Sequence, residues 1–129
     1  MTVPIDTTAD MAVTFLATTD RARAKKFYVN TLGLELVAED DFALILRCGS
    51  TPLRISEVKE LQVQPFTVLG WEVADIEFSA RVLIASGIEL IRYPGLQHDY
   101  LGLWSSPATS ARICWFNDPD GNLLSLSQH

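Results

Sequence analysis

Residues 20–37 read DRARAKKFYVNTLGLELV, and residues 75–91 read DIEFSARVLIASGIELI. Each stretch opens on an aspartate, whose short carboxylate suits a helix N-cap, and ends its helical part at a glycine suited to a left-handed C-terminal cap. Between the caps the apolar residues fall at helical spacing: Ala24, Phe27, Tyr28 and Leu32 in the first, Ile76, Ala80 and Leu83 in the second. Leu34-Glu35-Leu36-Val37 then matches Ile88-Glu89-Leu90-Ile91 without a gap. The aspartates stand 55 residues apart and the glycines 54. Agreement in cap, helix length and following strand marks an internal repeat.

Outward from these stretches the plan continues. Residues 12–18 and 66–73 precede the caps as strands rich in β-branched and aromatic side chains. After the first helix, strands are predicted at 34–39, 42–48 and 52–57, with turns at Asp40-Asp41 and Gly49-Ser50-Thr51. After the second they are predicted at 88–92, 111–116 and 123–127, with a Pro- and Gly-containing turn at Asn117–Asn122. The expectation is one α+β domain over 1–129, built of two βαβββ modules at 10–58 and 66–129 with a linker at 59–65. One segment breaks the symmetry, Tyr93–Ser110, which carries His98, Tyr100 and Trp104. So long a loop in a compact domain is commonly functional, often a lid, and its cluster of Tyr100, Leu101, Leu103 and Trp104 suits covering something.

Composition narrows the function classes. With 129 residues and 48% apolar content, the chain can bury a core without disulfide or metal, and disorder is excluded. Sixteen acidic against ten basic residues give a net charge of −6 and a pI near 4.7. No basic stripe is present, so no nucleic-acid partner is expected. No apolar run approaches the roughly 20 residues of a membrane-spanning helix, and the first residues lack a signal-peptide pattern. No membrane partner and a cytoplasmic location are therefore expected. Cys48 and Cys114 read as small buried hydrophobes in a reducing compartment, and no pair of Cys or His stands at zinc-ligand spacing.

Several motifs together resemble the vicinal oxygen chelate superfamily, which includes glyoxalase I, bleomycin-resistance proteins and extradiol dioxygenases. They are Thr19-Asp20, Lys26-Phe27-Tyr28 and Leu32-Gly33-Leu34 in the first half. In the second half they are Val73-Ala74-Asp75 and the run from Phe116 through Asp118-Pro119-Asp120-Gly121 to Asn122, the most specific of the set. The resemblance implies two βαβββ modules forming a cupped, mixed eight-stranded sheet, a ligand in the concave side and a homodimer. It also implies a metal held by residues of the first and last strand of each module. Carried over position by position, those places hold Val13, Arg54, Val68 and Ser125. Two valines have no lone pair to give, and a guanidinium repels a cation. No metal and no cofactor are expected.

What the resemblance leaves is the cup. Strand alternation puts Val13, Phe15 and Ala17 on one face, and Val68, Gly70 and Glu72 on another. Candidate ligand-binding residues are Phe15, Arg54, Glu72, His98, Tyr100, Trp104 and Ser125. Arg54 in such a cup binds an anionic group such as a carboxylate, or else pairs with Glu72. Trp71, out of phase, reads as core, while Trp115 and Phe116 stay open between core and pocket. The leading expectation is a metal-free binding protein sequestering a small, partly apolar, anionic molecule. The alternative is a glyoxalase-like lyase or isomerase using Glu72 or His98 as acid or base.

Overall fold

The computed structural model describes residues 4–129. The chain divides into two compact units that meet at Leu61/Gln62, inside the 59–65 linker. The first contains β1 (Thr14–Thr18), α1 (Arg21–Lys25) continued by a π-helical turn (Lys26–Thr31), β2 (Glu35–Glu39), β3 (Ala43–Cys48) and β4 (Thr51–Glu57). The second contains β5 (Leu69–Glu72), α2 (Ile76–Ala85), β6 (Trp104–Ser105), β7 (Arg112–Asn117) and β8 (Leu123–Gln128). The strands pair within each unit as four-stranded mixed sheets, ordered β1-β4-β3-β2 and β5-β8-β7-β6. In both, the first strand lies parallel to the last and the other neighbours are antiparallel. Among the described residues no helix is long and apolar enough to cross a membrane.

The caps act as the sequence requires. Asp20 accepts the Arg23 N–H at 3.1 Å and Asp75 the Phe78 N–H at 3.1 Å. A second cap comes from the end of each sheet: Glu57 accepts the Arg21 N–H at 3.0 Å, and Gln128 accepts the Ile76 N–H at 2.8 Å. Both helices finish at a glycine of positive φ, +82° at Gly33 and +89° at Gly87. The closing bonds differ by one residue, Leu34 N–H to Tyr28 O in the first unit against Ile88 N–H to Leu83 O in the second. The π turn, seen in the Leu32 N–H to Phe27 O bond, absorbs that residue. It accounts for the aspartates standing 55 apart and the glycines 54.

Each helix seals one face of its sheet. Ala24, Phe27 and Tyr28 are buried in the first unit with Leu16, Leu44, Leu46, Leu53 and Ile55. In the second, Ile76, Ala80 and Leu83 are buried with Cys114, Phe116, Leu124 and Leu126. Phe116 belongs to this core, and the half-buried Trp71 lies on the same side of the sheet, beside Leu126 in register. Burial pushes the Cys114 thiol up to about 11, which keeps it a neutral hydrophobe. Cys48, expected to be buried, is exposed at the end of β3.

The predicted strand at 88–92 does not form. This stretch meets β7 through one backbone bond, Ile91 N–H to Trp115 O at 2.8 Å. The next part of the β7 edge pairs instead with β6, Trp104 opposite Ile113 and Ser105 opposite Arg112. The long segment read as a loop therefore supplies an edge strand. Replacing Phe116 by Ala is expected to cost about 3–5 kcal/mol in urea unfolding through the cavity it leaves. Phe15→Ala, on the open side of β1, should stay within about 0.5 kcal/mol.

Candidate functional site

Because successive side chains alternate, the residues out of phase with the core share the face of each sheet opposite its helix. In the first unit Phe15 lies beside Arg54, and Arg54 beside Ile45, in register. Phe15 is 63% exposed, while Arg54 and Ile45 are half-buried. Among the described residues Arg54 makes no hydrogen bond or ion pair. The backbone N–H groups of Phe42 and Ala43 hold the Asp40 carboxyl below its ordinary range, and the Arg54 charge adds a smaller pull in the same direction. A half-buried guanidinium with all its donors available is a ready partner for a carboxylate.

In the second unit the corresponding neighbours are Gly70 and Ser125. A Cβ on Gly70 would meet the Ser125 hydroxyl at 2.6 Å, so the glycine leaves this patch open. Next in register are Trp115 beside Ser125, and Ile113 beside Ser127. The doubled helix caps fix the correspondence between units. Arg54 stands three residues before Glu57, and Ser125 three before Gln128. Arg54 and Ser125 therefore occupy equivalent places in the two units.

The long segment is fastened down at several points. His98 accepts the Tyr93 N–H on Nε2 at 3.0 Å and donates from Nδ1 to Gly102 O at 2.8 Å. Both ring nitrogens are thus occupied by backbone. Asp99 Oδ1 accepts three N–H groups, from Leu101, Gly102 and Leu103, at 2.9–3.0 Å. Arg92 donates to the carbonyls of Asp99 and Tyr100. Gly102 has φ +112°, and a Cβ there would press on Leu90 at 3.1 Å, so no other residue fits. Tied at this many points, the segment forms a wall beside the open face of the second sheet.

Its three candidate residues part company. Trp104 joins the open face: its ring lies 6.0 Å from Trp115 at 40°. His98 approaches Trp115 edge-on at 6.2 Å, and Tyr93 does so at 5.2 Å. Tyr100 goes to the helix side, where its hydroxyl donates to Glu77 at 3.2 Å and accepts from Arg81. Arg81 also lies over the Tyr100 ring. Glu72 is exposed and accepts from His129 Nδ1 at 3.1 Å. Sequence reasoning left Trp115 open between core and pocket and missed the parts played by Tyr93 and His129. The alternation of Trp115 with the core residues Cys114 and Phe116 carried that signal, but apolar side chains on both faces of β7 obscured it.

With this geometry in hand, comparison with known proteins gives a direct result. The sequence matches the Glyoxalase/Bleomycin resistance protein/Dioxygenase superfamily over residues 10–126. The chain belongs to that superfamily. No curated protein matches it. Similar solved structures include a glyoxalase family protein from Enterococcus faecalis, with TM-score 0.74 and 24% identity over 92% of this chain and 97% of that one. A superfamily member from Sphaerobacter thermophilus DSM 20745 has TM-score 0.74 and 20% identity, covering 94% and 98%. A lactoylglutathione lyase from Agrobacterium tumefaciens has TM-score 0.71 and 16% identity, covering 93% of each. At such identities these likenesses establish the α+β fold of paired βαβββ modules and nothing finer. Among the described residues no three His, Cys, Asp or Glu side chains gather where they could hold a metal. The side chains that the family resemblance carries over to ligand positions, Val13, Arg54, Val68 and Ser125, do not fit one either, being two hydrocarbons, a cation and a hydroxyl.

Asp99 carries the rigidity of the wall. In Asp99→Ala, hydrogen exchange at Leu101, Gly102 and Leu103 is expected to speed up at least tenfold, about 1.4 kcal/mol per opening. Exchange in β7 and β8 should stay within a few-fold.

Proposed function

We propose that this superfamily member binds a small, partly apolar anionic molecule and does so without a metal. The observation that carries the reading is Arg54. At a position where relatives of this fold are expected to place a metal ligand, the chain has a half-buried guanidinium with no hydrogen bond or ion pair among the described residues. Phe15 and Ile45 flank it in register and supply apolar contact. Few polar groups set among apolar walls is how small-molecule sites are usually built.

A thermal-shift series with hexanoate and octanoate, and with hexanol and octanol as neutral counterparts, tests it. The carboxylates are expected to raise Tm in a concentration-dependent way, and the alcohols to do so much less. Arg54→Ala should weaken the carboxylate response at least tenfold, the loss of one charge-assisted contact of about 1.4 kcal/mol or more. Equal responses to acid and alcohol, or an unchanged response in Arg54→Ala, would contradict the reading.

A second reading has its own observation, the Glu72–His129 pair. The carboxylate sits on Nδ1, and the imidazole's other nitrogen makes no hydrogen bond among the described residues. In a glyoxalase-like lyase or isomerase, Glu72 would take the proton from a hydroxyl-bearing carbon next to a carbonyl and return it to the former carbonyl carbon, while the hydroxyl proton passes to the former carbonyl oxygen. Conversion of hydroxyacyl substrates that survives chelator and falls with Glu72→Gln would favour this reading over binding alone.

A further inference from the structure

The aromatic residues of the second unit narrow the kind of molecule that binds there. Trp115 is committed to its neighbours, with Tyr93 and His98 meeting it edge-on at interplanar angles of 82° and 75°. Trp104 is not. Among the described residues its one ring contact is the 40° tilt against Trp115, which is neither offset stack nor edge-to-face. Trp104 is half-buried and walls a depression of about 560 Å³ with Leu96, His98, Leu103 and Pro107. That volume lies within the roughly 300–1,000 Å³ of small-molecule sites.

The charge around the depression is spent. His98 has both nitrogens on backbone. Asp99 has one oxygen filled by three N–H groups and the other turned toward Arg112 at 3.9 Å. An anion would meet the Asp99 carboxylate, which lines the depression, and no Lys or Arg lines it to offset that repulsion. The walls are fixed before anything binds, because Gly102, His98 and Asp99 hold the segment in one conformation, so little ordering cost remains for binding.

We infer that this depression takes a neutral, planar aromatic group stacked on the indole of Trp104. The inference rests on the small-molecule reading above but uses none of the Arg54 chemistry, so the two can fail separately.

The probes are 2-naphthol and its saturated counterpart decahydro-2-naphthol, titrated by calorimetry and by following the indole N–H resonances of the three tryptophans. Expected is binding of 2-naphthol, at least tenfold weaker binding of the saturated alcohol, and a ring-current shift at Trp104 with Trp71 unmoved. Trp104→Leu, which keeps apolar bulk but removes the π face, should weaken 2-naphthol at least tenfold. The resonance shift reads the wild-type protein, so a variant that fails to fold leaves the test standing. Equal affinity for the two alcohols, no binding of 2-naphthol at millimolar concentration, or a folded Trp104→Leu with unchanged affinity would each overturn the inference. If hexanoate binds while 2-naphthol does not, the Arg54 reading survives alone. The reverse result removes that reading and keeps this site.

Discussion

One short helix per sheet covers one face only, and most of the structure follows from that constraint. A four-stranded sheet presents two rows of side chains from every strand, and one row is sealed by three residues of α1 with its π-helical continuation, Ala24, Phe27 and Tyr28, or of α2, Ile76, Ala80 and Leu83. The other row is left for whatever chemistry its residues allow. In the first sheet it holds Phe15, Arg54 and Ile45, and in the second Gly70, Ser125 and Trp115. The helices are tied to the sheets at both ends, by the aspartate and last-strand caps at the N-terminus and by the glycine turn at the C-terminus. The open rows are thereby held in a fixed register.

Stability and function divide along this line. Large apolar residues facing the helices, such as Phe116, Leu44 and Leu124, are fully buried and set the core. The residues of the open rows are exposed or half-buried and lie outside these cores. The long segment of the second unit serves both ends. Asp99, Arg92 and Gly102 lock it in place, and Tyr100 bolts it to α2 through Glu77 and Arg81, while Trp104 is carried to the opposite side.

The repeat was legible because caps and helical spacing are local and strong. Even the one-residue mismatch between the aspartates and the glycines was visible, although only the structure shows it taken up as a π turn after Lys25. The strand expected at Ile88–Arg92 fails for a non-local reason: Trp104 and Ser105, more than ten residues later, take the next places on the β7 edge. Tyr100 and Trp104 stand four apart in a segment without periodicity, so nothing in the sequence separates the side of one from that of the other. Trp115 and Phe116 are adjacent aromatics, and only the pairing of Trp115 with Ser125 and of Phe116 with Leu124 assigns their faces. Arg54 and Ser125 came from the family resemblance, carried between the modules by matched register, and the caps at Glu57 and Gln128 reproduce that register in three dimensions.

Recognition without a cation is the central claim, and it rests on the side chains at Val13, Arg54, Val68 and Ser125. Calorimetric titration of the purified, chelator-stripped protein with Zn²⁺, Ni²⁺ and Mn²⁺ measures it most directly. No stoichiometric uptake of any of the three is expected, with Tm the same before and after metal is added. One tightly bound equivalent per chain, raising Tm and lost again with chelator, would contradict it.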